Sequence, residues 1–186
     1  MGRKIHIDPR LPVLLAAALL LVPFKWFVAW LLAVSVHESC HIAALRAYGV
    51  DVVSLELGLQ GACIRTPPLM NGEELICAAA GLAGSLILCL FHKIFPQLAL
   101  CGFVHLLFNL LPIFPFDGGR VLRCGLCLVF GQQITQNILK IIGTLVCALL
   151  LILALIGLCC YNLGPLPIAC AYIAVHNYRK IPCKWP

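Results

Sequence analysis

The chain has 186 residues, of which 62% are hydrophobic and only 11% are charged. A soluble domain carries charge on about a quarter of its residues, so this composition excludes an ordinary soluble protein. The net charge of +6 comes from basic residues that flank apolar runs and form no basic stripe, which argues against nucleic acid as a partner. The sequence therefore predicts a protein embedded in a lipid bilayer.

Apolar runs bounded by charges, prolines and polar clusters predict an all-α polytopic membrane protein with about six transmembrane helices. The predicted helices cover residues 11–24, 27–46, 74–91, 97–117, 136–158 and 161–177. The first run is short for a full crossing, so it tilts little, begins earlier or pairs with the second helix as a hairpin. No repeat or composition boundary divides the chain, and we expect a single domain over residues 1–186.

The basic residues predict how these helices are oriented. With the amino terminus in the cytoplasm, only Lys25 and Lys93 fall on the outer side, and the other eleven of the 13 basic residues fall on the inner side. This asymmetry follows the positive-inside rule. It predicts a multi-pass protein of the cell membrane with both termini in the cytoplasm.

Residues 49–73, between the second and third predicted helices, lack a helical pattern. β-branched and alternating residues in 50–57 are followed by Gly58, Gly61 and the Asn71-Gly72 pair, which predicts a short strand or β-hairpin. Non-helical backbone near a membrane is tolerated only where protein or water covers it. We therefore expect a membrane-associated hairpin at the cytoplasmic face, beside a cavity.

The second predicted helix carries the motif His37-Glu38-Ser39-Cys40-His41 near its inner end. Ionisable side chains at such depth are costly and indicate function. Residues i and i+4 share one helix face, so both imidazoles can bind one metal ion. Glu38 can then act as general base toward a water molecule at that metal. Two imidazoles and a carboxylate suit zinc, which predicts one Zn²⁺ ion.

Asp117 is the candidate for the third metal ligand. It follows the fourth predicted helix, which runs inward, so it emerges at the same depth as His37 and His41. Two prolines before it and two glycines after it break the helix and would aim the carboxylate into a cavity. The alternative is an N-cap for a helix over residues 121–130.

The H-E-x-x-H motif, followed by Asn109, Pro115 and Asp117-Gly118, resembles the site-2 protease family of intramembrane zinc metalloproteases. Residues 108–120 are most similar to the branch that activates a sporulation sigma factor in endospore-forming bacteria. The order and spacing of these residues span the central half of the chain. The resemblance implies a protease that acts in regulated intramembrane proteolysis.

This resemblance also implies roles for particular residues. His37, His41 and Asp117 would hold the zinc ion, and Glu38 would be the catalytic base. Asn109 would help to position the substrate or the water, although an amide that satisfies broken helix backbone is nearly as good an explanation. The substrate would be a membrane-associated protein, such as a sigma-factor precursor, taken up as an extended strand beside the hairpin at residues 50–65.

The chain departs from the family pattern at residues 81–85, which read Gly-Leu-Ala-Gly-Ser where the family often has Gly-Pro followed by an Asn. Small residues still allow close helix packing, but a helix kink is in doubt. We also expect no PDZ insertion and no nucleotide-sensing CBS module. On that expectation, regulation of that kind would be absent or would come from another chain, a regulatory membrane partner.

Several other residues are interpreted as packing groups. His105 lies one helical turn before Asn109 and could face the site, but we favour a packed or hydrogen-bonded histidine. Cys40 lies inside the motif but points away from the histidine face, which favours a packing role. Most of the 12 cysteines lie in apolar runs as small hydrophobic residues, and the C-x-x-C of Cys124 and Cys127 lacks a second pair.

Two functions of other classes use the same residue types. One is a metal-binding membrane transporter, and the other is a non-catalytic scaffold that binds a partner's helix. A transport site has no special need for the Glu38 carboxylate between two histidines, and a scaffold gains nothing from a complete site. The sequence therefore favours the protease.

Overall fold

Five helices and three short strands make up the part of the chain described by the structure, a computed structural model covering residues 4–58, 61–114 and 116–161. In chain order they are β1 (Lys4–Ile7), α1 (Arg10–Leu21), α2 (Phe24–Ala47), β2 (Ser54–Gly58), β3 (Gly61–Arg65), α3 (Asn71–Leu90), α4 (Pro96–Asn109) and α5 (Asp117–Tyr161). The chain divides into two compact units, Met1–Phe108 and Asn109–Pro186.

The helices are those of a membrane protein. Within the described residues, α2, α3 and the Asp117–Cys159 section of α5 are long and apolar enough to cross a bilayer. α1 and α4 are apolar but shorter, with 12 and 14 residues. The mostly helical fold is thus confirmed. The number of crossings, about six, remains a prediction. Of the sixth predicted helix, 161–177, only residue 161 belongs to the described residues.

The carboxyl end of the fourth predicted helix, 97–117, was predicted wrongly, because α4 stops at Asn109. Pro112 has no backbone N–H and disfavours helical geometry at the residue before it, so the helix ends ahead of this position. The chain then turns, with the Phe116 N–H donating to the Ile113 carbonyl over 3.1 Å. As a result, Asp117 begins α5 and does not end α4.

The fifth predicted helix, 136–158, is the later part of α5, which starts much earlier. Gly131 interrupts α5 with φ 75° and ψ 172°, a conformation that only glycine adopts readily. Thr135 donates a 2.7 Å hydrogen bond to the Gly131 carbonyl at this break. The 43 residues from Asp117 to Cys159 would rise about 65 Å as one straight helix, roughly twice the hydrocarbon core of a bilayer. The break at Gly131 divides that length.

The predicted hairpin is confirmed, and it belongs to a three-stranded sheet of order β1-β2-β3. β2 and β3 pair antiparallel from Ser54↔Arg65 to Gly58↔Gly61. The sequence interpretation missed β1, which pairs parallel with β2 in the register His6↔Glu56. A four-residue strand whose partner lies beyond two helices leaves no local signal, so its position was not predictable from pattern alone.

An ion pair links the two hairpin strands on the solvent side. The Arg65 guanidinium donates to the two carboxylate oxygens of Glu56 over 2.6 and 3.0 Å. These hydrogen bonds lower the pKa of the Glu56 carboxyl below its ordinary value, against the opposing effect of desolvation. Exposed ion pairs stabilise only slightly, so this pair mainly helps to define the strand register.

Small residues bring α2 and α3 close together, as predicted for residues 81–85. A Cβ added to Gly84 would lie 2.5 Å from the Cys40 Sγ and 3.2 Å from its Cβ. Ala33 and Ala78 are fully buried in this unit. The interpretation of Cys40 as a packing residue is therefore confirmed. Small side chains at such an interface let helix backbones approach closely.

Candidate metal centre

The two motif histidines form a buried pair on one face of α2. The exposed fractions of His37 and His41 are only 2% and 7%. Their Nε2 atoms lie 3.0 Å apart, and their rings meet edge to face with centroids separated by 4.7 Å. The i, i+4 spacing predicted this geometry, because such residues are neighbours on a helix.

The other ring nitrogen of each histidine is held by α3. The Nδ1 atom of His41 lies 2.7 Å from the backbone carbonyl of Cys77, and that of His37 lies 2.9 Å from the Ser85 hydroxyl. A carbonyl can only accept, so the Nδ1 of His41 carries the proton and its Nε2 keeps a lone pair. Contacts of this kind orient histidines that ligate metals.

Gly81 provides the space that the pair occupies. A Cβ at this position would contact the Cε1 and Nε2 atoms of His41 and lie 2.9 Å from the Cε1 of His37. Cys77, Gly81 and Ser85 recur at intervals of four residues and are all buried, so they form one face of α3. Sequence reasoning treated residues 81–85 as packing residues only. The four-residue spacing was the signal that could have linked them to the histidines.

His105 also contacts the pair. Its ring packs edge to face against His37, with centroids 4.5 Å apart and an interplanar angle of 88°. His105 is a packed histidine, as we favoured, but it packs on a candidate metal ligand and so also faces the site, as the alternative had it. Asn109, the last residue of α4, is half-buried and belongs to the second unit.

Asp117 is buried in the second unit, with an exposed fraction of 5%. It begins α5, where a carboxylate interacts favourably with the positive end of the helix dipole, and an Arg120 Nη1 atom lies 3.4 Å from its Oδ1. The next two residues must be small. A Cβ on Gly118 would lie 2.6 Å from the Leu110 carbonyl carbon, and one on Gly119 would lie 2.5 Å from that of Ile113.

The histidine pair fits two ligand positions of a zinc ion. His37 and His41 are both buried and each offers one ring nitrogen, and Asp117, in the second unit, is a buried carboxylate. Two imidazole nitrogens on a tetrahedral zinc, each at about 2.0–2.1 Å, would be about 3.3 Å apart, close to the 3.0 Å between the two Nε2 atoms. Both Nδ1 atoms are already engaged. Glu38 follows His37 on α2 and is half-buried.

Comparison with known proteins agrees with this fold. A family model described as Peptidase family M50 matches residues 75–153. A zinc metalloprotease of Methanocaldococcus jannaschii is 30% identical over 151 residues, which cover 74% of this chain and 44% of the relative. The chain therefore corresponds to less than half the length of that relative. A solved structure titled site-2 protease, from the same organism, matches with a TM-score of 0.67 at 24% identity, over 100% of this chain and 95% of that one.

The apolar helices, the small sheet and the buried histidine pair define a membrane protein with the fold of the site-2 proteases. Residues 75–153 match the model of Peptidase family M50, in agreement with the resemblance that the sequence motifs indicated.

Proposed function

We propose that the protein is an intramembrane zinc metalloendopeptidase that hydrolyses a peptide bond of a membrane-associated protein near the cytoplasmic face. The observation that carries this proposal is the His37–His41 pair. Its Nε2 atoms are 3.0 Å apart, its Nδ1 atoms are tethered to α3, and a carboxylate follows His37 directly in the motif. A pair arranged in this way suits a metal that must be held rigidly while it acts on a substrate.

His37, His41 and Asp117 would hold the zinc ion in this proposal. When bound, zinc would polarise the scissile carbonyl and lower the pKa of water. Glu38 accepts a proton from the attacking water while the oxygen of that water bonds to the carbonyl carbon of the substrate. Glu38 then delivers this proton to the leaving nitrogen as the C–N bond breaks, which regenerates the carboxylate. Asn109 would position the substrate or the water.

In this proposal the small sheet presents the substrate. A helix keeps its carbonyls hydrogen-bonded, so a substrate segment must unwind before attack, and an added strand would hold it extended. β2 is internal because β1 and β3 flank it, so an incoming strand would pair with an outer edge of the sheet. By resemblance, we propose a sporulation sigma-factor precursor as substrate, both termini in the cytoplasm and regulation by a membrane partner.

Co-expression with substrates tests the activity. The chain would be paired with a membrane-associated sigma-factor precursor and, separately, with a generic single-pass protein, and fragments would be followed by immunoblot. We expect fragments from the wild type and none from Glu38→Gln. Glu73→Gln is the matched control, because the amide oxygen can still accept from the Met70 N–H that Glu73 caps over 2.9 Å. Fragments from Glu38→Gln would refute the assignment of the base.

Metal analysis of the purified protein tests the ligands independently of any substrate. We expect Glu38→Gln to retain zinc, whereas His37→Ala and Asp117→Ala lose most of it. Unchanged zinc in both ligand variants would overturn the proposed ligand set. Zinc retained by an inactive wild type with every substrate tried would favour a metal transporter or a scaffold over the protease.

A further inference from the structure

The two histidines of the pair are held in chemically different ways. His41 is held by the Cys77 carbonyl, a backbone group that no side-chain substitution removes. His37 is held by the Ser85 hydroxyl, which a substitution can remove. The hydrogen bond between α3 and the His37 ring therefore comes from a side chain that can be changed.

Ser85 is buried too deeply to serve as an ordinary surface hydroxyl. Its exposed fraction is 0%, and it is among the largest fully buried side chains of the described residues. A buried hydroxyl is costly unless it is hydrogen-bonded. Its recorded side-chain partner is the Nδ1 of His37 at 2.9 Å, which is 48 residues away in sequence.

The hydrogen bond with Ser85 determines which ring nitrogen of His37 carries the lone pair that faces His41. When Ser85 accepts the Nδ1 proton, the lone pair of His37 is on Nε2, the atom that lies 3.0 Å from the Nε2 of His41. The edge of the His105 ring packs against the same imidazole and restricts its rotation further. Without the hydroxyl, the Nδ1 proton loses this acceptor, and the tautomer with the proton on Nε2 becomes relatively more favourable.

We propose that Ser85 is a positioning residue that fixes the orientation and tautomer of His37 for zinc. This inference rests on the proposed function, since it assumes that His37 is a metal ligand. Removal of such a supporting hydrogen bond typically lowers metal affinity about 10–100-fold. We expect a loss of that size when the Ser85 hydroxyl is deleted, with the fold retained.

The test measures Zn²⁺ and Co²⁺ affinity of the full chain in detergent by competition with a chelator. Ser85→Ala removes the hydroxyl and adds no volume. Ser85→Thr and Ser85→Val form a matched pair of almost equal shape, of which only the threonine keeps a hydroxyl. Ser35→Ala controls for the loss of an exposed serine that bonds only to its own helix, at the Leu31 carbonyl.

We expect Ser85→Ala and Ser85→Val to bind metal about 10–100-fold more weakly, while Ser85→Thr and Ser35→Ala remain near the wild type. The visible spectrum of bound Co²⁺ should change in Ser85→Val but not in Ser85→Thr, because it reports the ligand geometry. A difference confined to thermal stability would indicate a merely structural role.

Equal affinities and spectra for the threonine and valine variants would overturn the inference even if Ser85→Ala failed to fold. If the wild-type chain binds neither metal, the proposed function and this inference both fail. If the wild type binds metal and Ser85→Val binds it equally well, only the inference fails.

Discussion

Replacing Gly81 with alanine should separate metal binding from folding. The added Cβ would contact the His41 ring and lie 2.9 Å from the His37 Cε1. Ordinary carbon contacts begin near 3.4 Å, so the rings or α3 must move by about 0.5 Å or more. Metal–ligand distances in a well-formed site lie within about 0.2 Å of their standard values. The displacement of the rings is therefore too large to leave the metal-binding geometry of the histidine pair intact.

The effect on stability should be small by comparison. Overpacking of this kind costs about 1–3 kcal/mol, and the gain in helix propensity from glycine to alanine returns about 1 kcal/mol. The net cost is about 0–2 kcal/mol, whereas zinc affinity should fall at least about 10-fold. Zinc affinity would be measured by chelator competition, and stability by thermal unfolding in detergent.

Gly125→Ala is the matched control, because a Cβ at Gly125 in α5 has no neighbour within 4 Å. This variant should keep wild-type zinc affinity and gain up to about 1 kcal/mol of stability. If Gly81→Ala bound zinc within about two-fold of the wild-type affinity, the reasoning would be refuted. The histidine pair would then bind zinc normally in spite of the displaced rings.

Three further predictions concern other parts of the chain. Gly119→Ala should destabilise the protein by about 1–3 kcal/mol in thermal unfolding, since its Cβ would meet the Ile113 backbone, and unchanged stability would contradict the close approach. Gly131→Ala should cost about 1–3 kcal/mol through backbone strain alone, as its Cβ has open space. The pKa of Glu56 is lowered by Arg65, so the pair stabilises the sheet above the ordinary carboxyl pKa of about 4.3 and is lost as the pH falls below it. Amide-exchange protection factors in β2 and β3, taken relative to the intrinsic exchange rate at each pH, should therefore fall in acid, except in Glu56→Gln.

Features with a local periodic signal were predictable from the sequence. Apolar runs located α1, α2 and α3 to within a few residues, and the glycine and β-branched pattern located the β2–β3 hairpin. The end of α4 was predicted incorrectly because the apolar pattern continues past Asn109 while the prolines stop the helix. The pairing of β1 depends on contacts across more than 40 residues, which periodicity does not encode.

In the candidate metal centre, too, local spacing was predictable and contacts between helices were not. The spacing of His37 and His41 was sufficient to predict a facing pair, since it depends only on helix geometry. The groups that hold this pair come from other helices. Ser85 and His105 contact His37 through helix packing, and no pattern within α2 specifies which residues of α3 and α4 will face it.

The pairing of β1 with β2 has a consequence for how the chain is threaded through the membrane. Hydrogen-bonded strands lie on one side of a bilayer, so the segment between Ile7 and Ser54 must cross an even number of times or not at all. If α2 crosses, α1 must cross as well, yet its 12 residues rise only about 18 Å against a hydrocarbon core of about 30 Å. The lipid around α1 would then be locally thinned, and mismatch of this kind makes a protein sensitive to acyl-chain length.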